Sequence, residues 1–169
     1  MHTKVVFRAA KAALKERAPA LRFNFRGVGQ SQGRFAEGVG ETDDVRAALD
    51  FLSSRYPQLP IILMGFSFGS RVGLVVGASD ARVSALVGMG LPVESYSYSY
   101  LDDCPKPKLI IEGTQDVYGP RRKVEEAYAA MASPKSLHWV QGADHFFTGQ
   151  LEEVQTTIQD FIRDLTRQS

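Results

Sequence analysis

The most constraining feature of the sequence is the stretch Ile61-Ile62-Leu63-Met64-Gly65-Phe66-Ser67-Phe68-Gly69-Ser70. An apolar run ends in Gly-x-Ser-x-Gly, and a helix-compatible segment, residues 71–78, follows. A strand that turns at once into a helix forces its corner residue into a strained backbone geometry. That geometry lifts the corner side chain, Ser67, above the end of the sheet. The corner crowds the positions two before and two after it, so both Gly65 and Gly69 are expected to be required. The first turn of the helix leaves backbone N–H groups without partners beside the serine, where they can receive a negative oxygen. The competing reading is a Gly-rich strand-to-helix turn with an incidental serine.

Helix and strand patterns alternate on both sides of this corner. Residues 3–16 read as an amphipathic helix with Val6, Ala9, Ala10, Ala13 and Leu14 inward and Lys4, Arg8, Lys11 and Lys15 outward. Residues 21–25 read as a short strand, followed by a polar, Gly-rich loop to Gly40. A helix is expected over 42–55, with Val45, Ala48, Leu49, Leu52 and Tyr56 as its buried stripe. After the Ser67 corner come a strand at 83–90, an irregular connection at 91–106, a strand at 107–112 and a helix at 121–132. A strand at 136–140 and a helix at 150–166 complete the pattern. Short, continuous apolar strands fit a sheet covered on both faces. The expected fold is α/β: a three-layer α/β/α sandwich around an open, mostly parallel sheet, with residues 1–169 as one domain.

Composition narrows the function classes. A formal net charge of +1 points to neither nucleic acid nor an anionic membrane. No apolar run approaches the ~20 residues that cross a bilayer. The first twenty residues are too heavily charged for a signal peptide. Cys104 is the only cysteine, so no internal disulfide and no cysteine-based metal site is expected. These features give a cytoplasmic expectation, with no metal and no organic cofactor.

Three chemistry-capable residues fall just past strand ends that share one edge of a parallel sheet: Ser67, Asp116 and His145. A serine hydroxyl needs a base to take its proton. A histidine supplies that base near neutral pH, and a carboxylate fixes its tautomer and stabilises its cation. The order Ser…Asp…His is the one that accompanies a strand–Ser–helix corner. Asp144 also neighbours His145, but adjacent residues on a turn rarely aim a carboxylate at the neighbouring ring. Asp144 is read as a turn-former.

The sequence resembles the α/β-hydrolases, particularly small, capless bacterial members similar to dienelactone hydrolases. The resemblance is carried by Phe23-Asn24-Phe25-Arg26-Gly27-Val28-Gly29-Gln30-Ser31, Gly65-Phe66-Ser67-Phe68-Gly69, Gly113-Thr114-Gln115-Asp116 and Gly142-Ala143-Asp144-His145-Phe146-Phe147. It implies Ser67 as nucleophile, Asp116 as orienting acid, His145 as general base and the Phe68 N–H as one oxyanion donor. The implied partner is a small acyl substrate, ester-like or otherwise activated. A peptidase or thioesterase with the same triad is the enzymatic alternative, and a non-catalytic hydrolase-fold binding protein is the other. The family pattern also has a central strand and a second oxyanion loop ahead of the first helix, and Met1 falls about where that loop would end. Without that strand, neighbouring strand edges are expected to be unpaired and apolar surface uncovered, a setting that favours a homo-oligomer.

Other residues have narrower expectations. Tyr96, Tyr98 and Tyr100 alternate with serines, so a strand-like segment would set all three on one side, as a wall over the site or as surface packing. Phe68, Phe146 and Phe147 are candidates to line an apolar pocket, with Phe146 and Phe147 equally suited to the core. Arg26 is expected in a structural ion pair, because the spacing Gly27, Gly29, Gly33 is not that of a dinucleotide loop. His138 is expected to be packed or hydrogen-bonded in its strand, and Cys104 packed. His2 is given no role of weight.

Overall fold

The computed structural model describes residues 3–167. Four strands, β1 (Ile61–Phe66), β2 (Val83–Met89), β3 (Lys108–Gly113) and β4 (Lys135–Val140), form a parallel sheet in the order β1-β2-β3-β4. Among the described residues five α-helices accompany it: α1 (Lys4–Lys15), α2 (Glu41–Arg55), α3 (Phe68–Ser79), α4 (Arg121–Ala130) and α5 (Leu151–Arg167). Parallel neighbours cannot be joined by a tight turn, so each connection crosses a face of the sheet. One apolar cluster joins α1 and α5 to the sheet through Ala9, Val87, Ile111, Phe147 and Ile158. The other joins α2, α3 and α4 to the opposite face through Leu49, Leu74, Leu86, Ile110 and Met131. This is the expected three-layer α/β/α sandwich.

The expected strand at 21–25 does not form. A strand exists through its partner, and the nearest candidate, the free edge of β1, lies across an apolar groove of about 530 Å³. Phe23, Val45, Leu49, Ile62, Met64 and Ser67 are among the residues facing that groove. Among the described residues, β1 pairs only with β2. The edge is therefore unpaired and its apolar surface partly uncovered. Phe23 and Phe25 instead pack edge to face, 5.3 Å apart, and Phe25 packs likewise on Phe68.

The inner face of α1 is rotated from the expected one. Val5, Ala9, Ala12 and Ala13 are buried, whereas Leu14 is exposed. The small side chains face α5, where they permit close helix approach, and the larger Leu14 is left outside. In α2, Val45 and Leu49 are buried, Ala48 and Leu52 face the groove, and Tyr56 is exposed beyond the helix end.

Candidate active site

Ser67 occupies the corner between β1 and α3 with φ 51° and ψ −121°, left-handed backbone that a non-glycine residue adopts only under constraint. The constraints are visible. The Ser67 N–H donates to the Met89 carbonyl at 3.0 Å, and the Ser67 carbonyl accepts the Ser70 and Arg71 N–H groups at 2.8 and 3.2 Å. A Cβ on Gly65 would fall 2.5 Å from the Gly69 carbonyl oxygen, so that position admits only glycine. Gly69 is different: a Cβ there would meet nothing within 4 Å. The expected symmetry of the corner is thus corrected. The start of α3 folds over β1 and crowds Gly65, while Gly69 faces open space.

His145 Nε2 lies 2.8 Å from Ser67 Oγ, and His145 Nδ1 lies 2.7 Å from Asp116 Oδ2. Asp116 Oδ1 accepts the Tyr118 and Gly119 N–H groups at 2.8 and 3.3 Å. A carboxylate only accepts, so the ring proton sits on Nδ1, and the Nε2 lone pair faces the serine hydroxyl. Both Asp116 and His145 are buried. Phe66, Tyr118 and Phe146 surround the ring, with centroids 5.0, 4.7 and 5.2 Å away. Asp144 is turned away. It accepts the Thr148 and Phe146 N–H groups and the Thr148 hydroxyl, bonds that hold its carboxyl below the usual range.

Residues 1–169 match the sequence pattern described as alpha/beta hydrolase domain. The chain belongs to the α/β-hydrolase family. A serine hydrolase homologue from Coxiella burnetii is 38% identical and superposes with a TM-score of 0.86, over 95% of this chain and 76% of that one. A serine hydrolase without a lid from Xanthomonas campestris is 32% identical with a TM-score of 0.87, over 98% and 75%. An uncharacterised protein of Rickettsia prowazekii is 33% identical over 96% of this chain and 72% of its own length. A second relative, from Salmonella typhimurium, is 28% identical, and the chain spans 56% of it.

Other features of this hydrolase-family site differ from expectation. Phe68 is the first residue of α3, where no helical carbonyl lies one turn behind its N–H. Its ring packs against Phe25 and Phe35 beside the groove. Phe146 is exposed at the rim, against His145 and Phe66, whereas Phe147 is fully buried in the core. The three tyrosines do not form one wall, because residues 99–101 coil into a short 3-10 turn instead of a strand. Tyr96 lies outside, under the Arg71 guanidinium at 4.0 Å. Tyr98 is buried, so it is a core anchor and not a substrate contact. Its hydroxyl is 2.9 Å from Ser70 Oγ, which itself donates to the Ser67 carbonyl at 2.6 Å.

Arg26 pairs with Asp44 through its guanidinium at 2.9 Å and also donates its backbone N–H to that carboxylate. His138 Nε2 meets Glu153 at 2.8 Å, and Cys104 is buried and free. His2 lies outside the described residues. Among the described residues, no helix is long and apolar enough to cross a membrane.

Two further residues stand beside the site, neither of them among the expected ones. Tyr118 closes one side of the His145 ring. Glu112 is fully buried four residues before Asp116. The signal for Glu112 was present: it is the one acid in the apolar run Leu109-Ile110-Ile111-Glu112-Gly113.

Proposed function

We propose that this chain is a serine hydrolase that cleaves an ester-like or similarly activated acyl bond. The observation that carries the reading is the unbroken line from Asp116 through His145 to Ser67, with bonds of 2.7 and 2.8 Å, ending on a serine held at positive φ. In this reading Ser67 Oγ attacks the carbonyl carbon while His145 Nε2 takes the hydroxyl proton. Asp116 steadies the imidazolium through Nδ1–H. The Phe68 N–H receives the negative charge that develops on the carbonyl oxygen. The C–O bond to the leaving alcohol breaks as that oxygen takes the proton from Nε2. Water, deprotonated by His145, then attacks the acyl carbon, and the proton on Nε2 returns to Ser67 as the acid leaves. Serine hydrolase homologues at 38% and 32% identity support the same reading. The fit to a small acyl substrate rests on exposed aromatic rings beside the site: Phe146 against His145, and Phe35 against Phe68, the residue after Ser67.

The test is exposure to a fluorophosphonate, read by intact mass, alongside Ser67→Ala. A single adduct on the wild-type chain, absent from the variant, is the expected result. Hydrolysis of p-nitrophenyl acetate should fall in the variant by on the order of 10⁴-fold or more. A folded wild-type chain that takes up no adduct and turns over no ester overturns the proposal.

A further inference from the structure

Three groups outside the Ser–His–Asp line draw attention: the apolar groove beside β1, the Arg71–Tyr96 pair, and Glu112. The last is built most completely. Glu112 closes β3 just before the loop that carries Asp116, and its side chain is fully buried. Its Oε1 accepts the Leu91 N–H at 2.5 Å. One residue earlier, the Gly90 N–H donates to the Ile111 carbonyl at 3.0 Å. The ladder between β2 and β3 therefore continues past Met89, first through a backbone carbonyl and then through the Glu112 side chain.

What this extension holds is the turn at Gly90, which has φ 55°. A Cβ on Gly90 would come 3.2 Å from His145 Nδ1 and 3.2 Å from Cε1. The Gly90 backbone thus lies against the His145 ring at the nitrogen that bonds Asp116. On its other side Glu112 Oε2 approaches Gly119, whose N–H donates to Asp116; a Cβ on Gly119 would lie 3.1 Å from that oxygen. The Glu112 carboxyl sits between the turn that walls the ring and the loop that carries the ring's carboxylate.

We propose that Glu112 is a positioning residue of this site, tying the Gly90–Leu91 turn against His145 and backing the Asp116 loop. The proposal rests on the hydrolase reading for its effect on rate, and on geometry alone for its effect on the ring. An apolar residue of similar size would fill the space but leave the Leu91 N–H without an acceptor in the interior. An ionised carboxylate would place a second negative charge beside Asp116. Among the described residues Oε2 has no hydrogen-bond partner; Asp116 and Tyr98 interact with the carboxyl electrostatically, and Asp116 leads on to His145. No cation faces it among these. Burial pushes its pKa well up, the Leu91 N–H draws it back, and the Asp116 charge pushes it up again. These surroundings favour the neutral acid, and Asp116 is the carboxyl group that bonds the ring.

The experiment compares the full chain with E112L and E112Q. Two readouts are used: turnover of a neutral p-nitrophenyl ester, and the downfield proton NMR signal of His145 Nδ1–H. In E112L kcat should fall about tenfold with KM within about twofold, because ring placement and not binding is disturbed. Its Nδ1–H signal should broaden into exchange with water. E112Q still offers a carbonyl to Leu91 and should restore both readouts. A folded E112L with wild-type kcat and an intact signal overturns the proposal. If E112L does not fold, E112Q decides. A folded E112Q that has lost the signal overturns the proposal, and one that retains both signal and rate supports it. A wild-type chain with no turnover at all sinks the hydrolase reading only, and the NMR comparison still decides the role of Glu112.

Discussion

The two edges of the sheet are made of different material. β4, Lys-Ser-Leu-His-Trp-Val, carries polar residues at the margin: His138 is paired with Glu153, and Arg121 lies over the Trp139 ring. β1, Ile-Ile-Leu-Met-Gly-Phe, is a continuous apolar run, yet its first four residues are only partly buried. Such runs belong inside parallel sheets, and edges are ordinarily blunted with charge. β1 thus has the composition of an interior strand while standing beside an open groove. Asp116 and His145 are positioned by the loops after β3, which is buried along its whole length, and β4. Ser67 sits at the junction. The difference teaches that the hydrogen-bonded line of the site depends on the well-packed half, and that the open half contributes the groove beside it.

The largest test of this contrast is a pair of core truncations. Ile110→Ala, in β3 with both neighbours in place and 1% exposed, should cost about 2–5 kcal/mol in denaturant unfolding. Met64→Ala, facing the groove, should cost about 1 kcal/mol, because less of its surface leaves water on folding. Equal costs would mean that the groove is closed in solution and would break the comparison. Next in size is the corner itself. Gly65→Ala should cost about 1–3 kcal/mol from overpacking against the Gly69 carbonyl, and ester turnover should fall with it. Gly69→Ala should fall within about 1 kcal/mol of wild type, with any change toward greater stability, since alanine is the better helix former. A large loss at Gly69 would show that something occupies the space beside it.

The corner, the mostly parallel sheet and the convergence of Ser67, Asp116 and His145 were legible because each is written locally. Apolar runs mark β1, β2 and β3, glycines mark the turns, and parallel strands share one carboxyl edge. The features that were not legible are relational. Whether 21–25 is a strand depends on a partner, and hydropathy does not report partners. The face of α1 was misread because its alanines are nearly neutral in hydropathy, so the packing of α5 and not the apolar stripe chose the buried side. Tyr98 was grouped with Tyr96 by alternation, but a 3-10 turn removes the period that grouping needs. Gly69 was inferred from a symmetry that the backbone does not have.

The smallest effects come from two glutamates that divide along the same line. Glu41, at the start of α2 on the open side, and Glu112, on the packed side, are both fully buried. Their surroundings differ. Glu41 accepts the Ala36 and Gly38 N–H groups, each at 2.8 Å, and Arg26 adds a positive charge. Burial pushes its pKa up, but these hydrogen bonds outweigh it and the net shift is below 4.5. Among the described residues Glu112 has one N–H donor and no cation acting on it, and burial carries it well above 4.5. The signs of the linkage are therefore opposite. The contribution of Glu41 is fully present above pH 4.5 and is lost as pH falls through its lowered folded pKa. That of Glu112 is fully present below pH 4.5 and is lost as pH rises through that value toward its raised folded pKa. Unfolding free energy measured from pH 3 to pH 9 should show both slopes. Glu41→Gln should flatten the acid side and Glu112→Gln the alkaline side. If both variants altered the same side, the two carboxyls would share one protonation state, and burial alone, without regard to donors, would govern them.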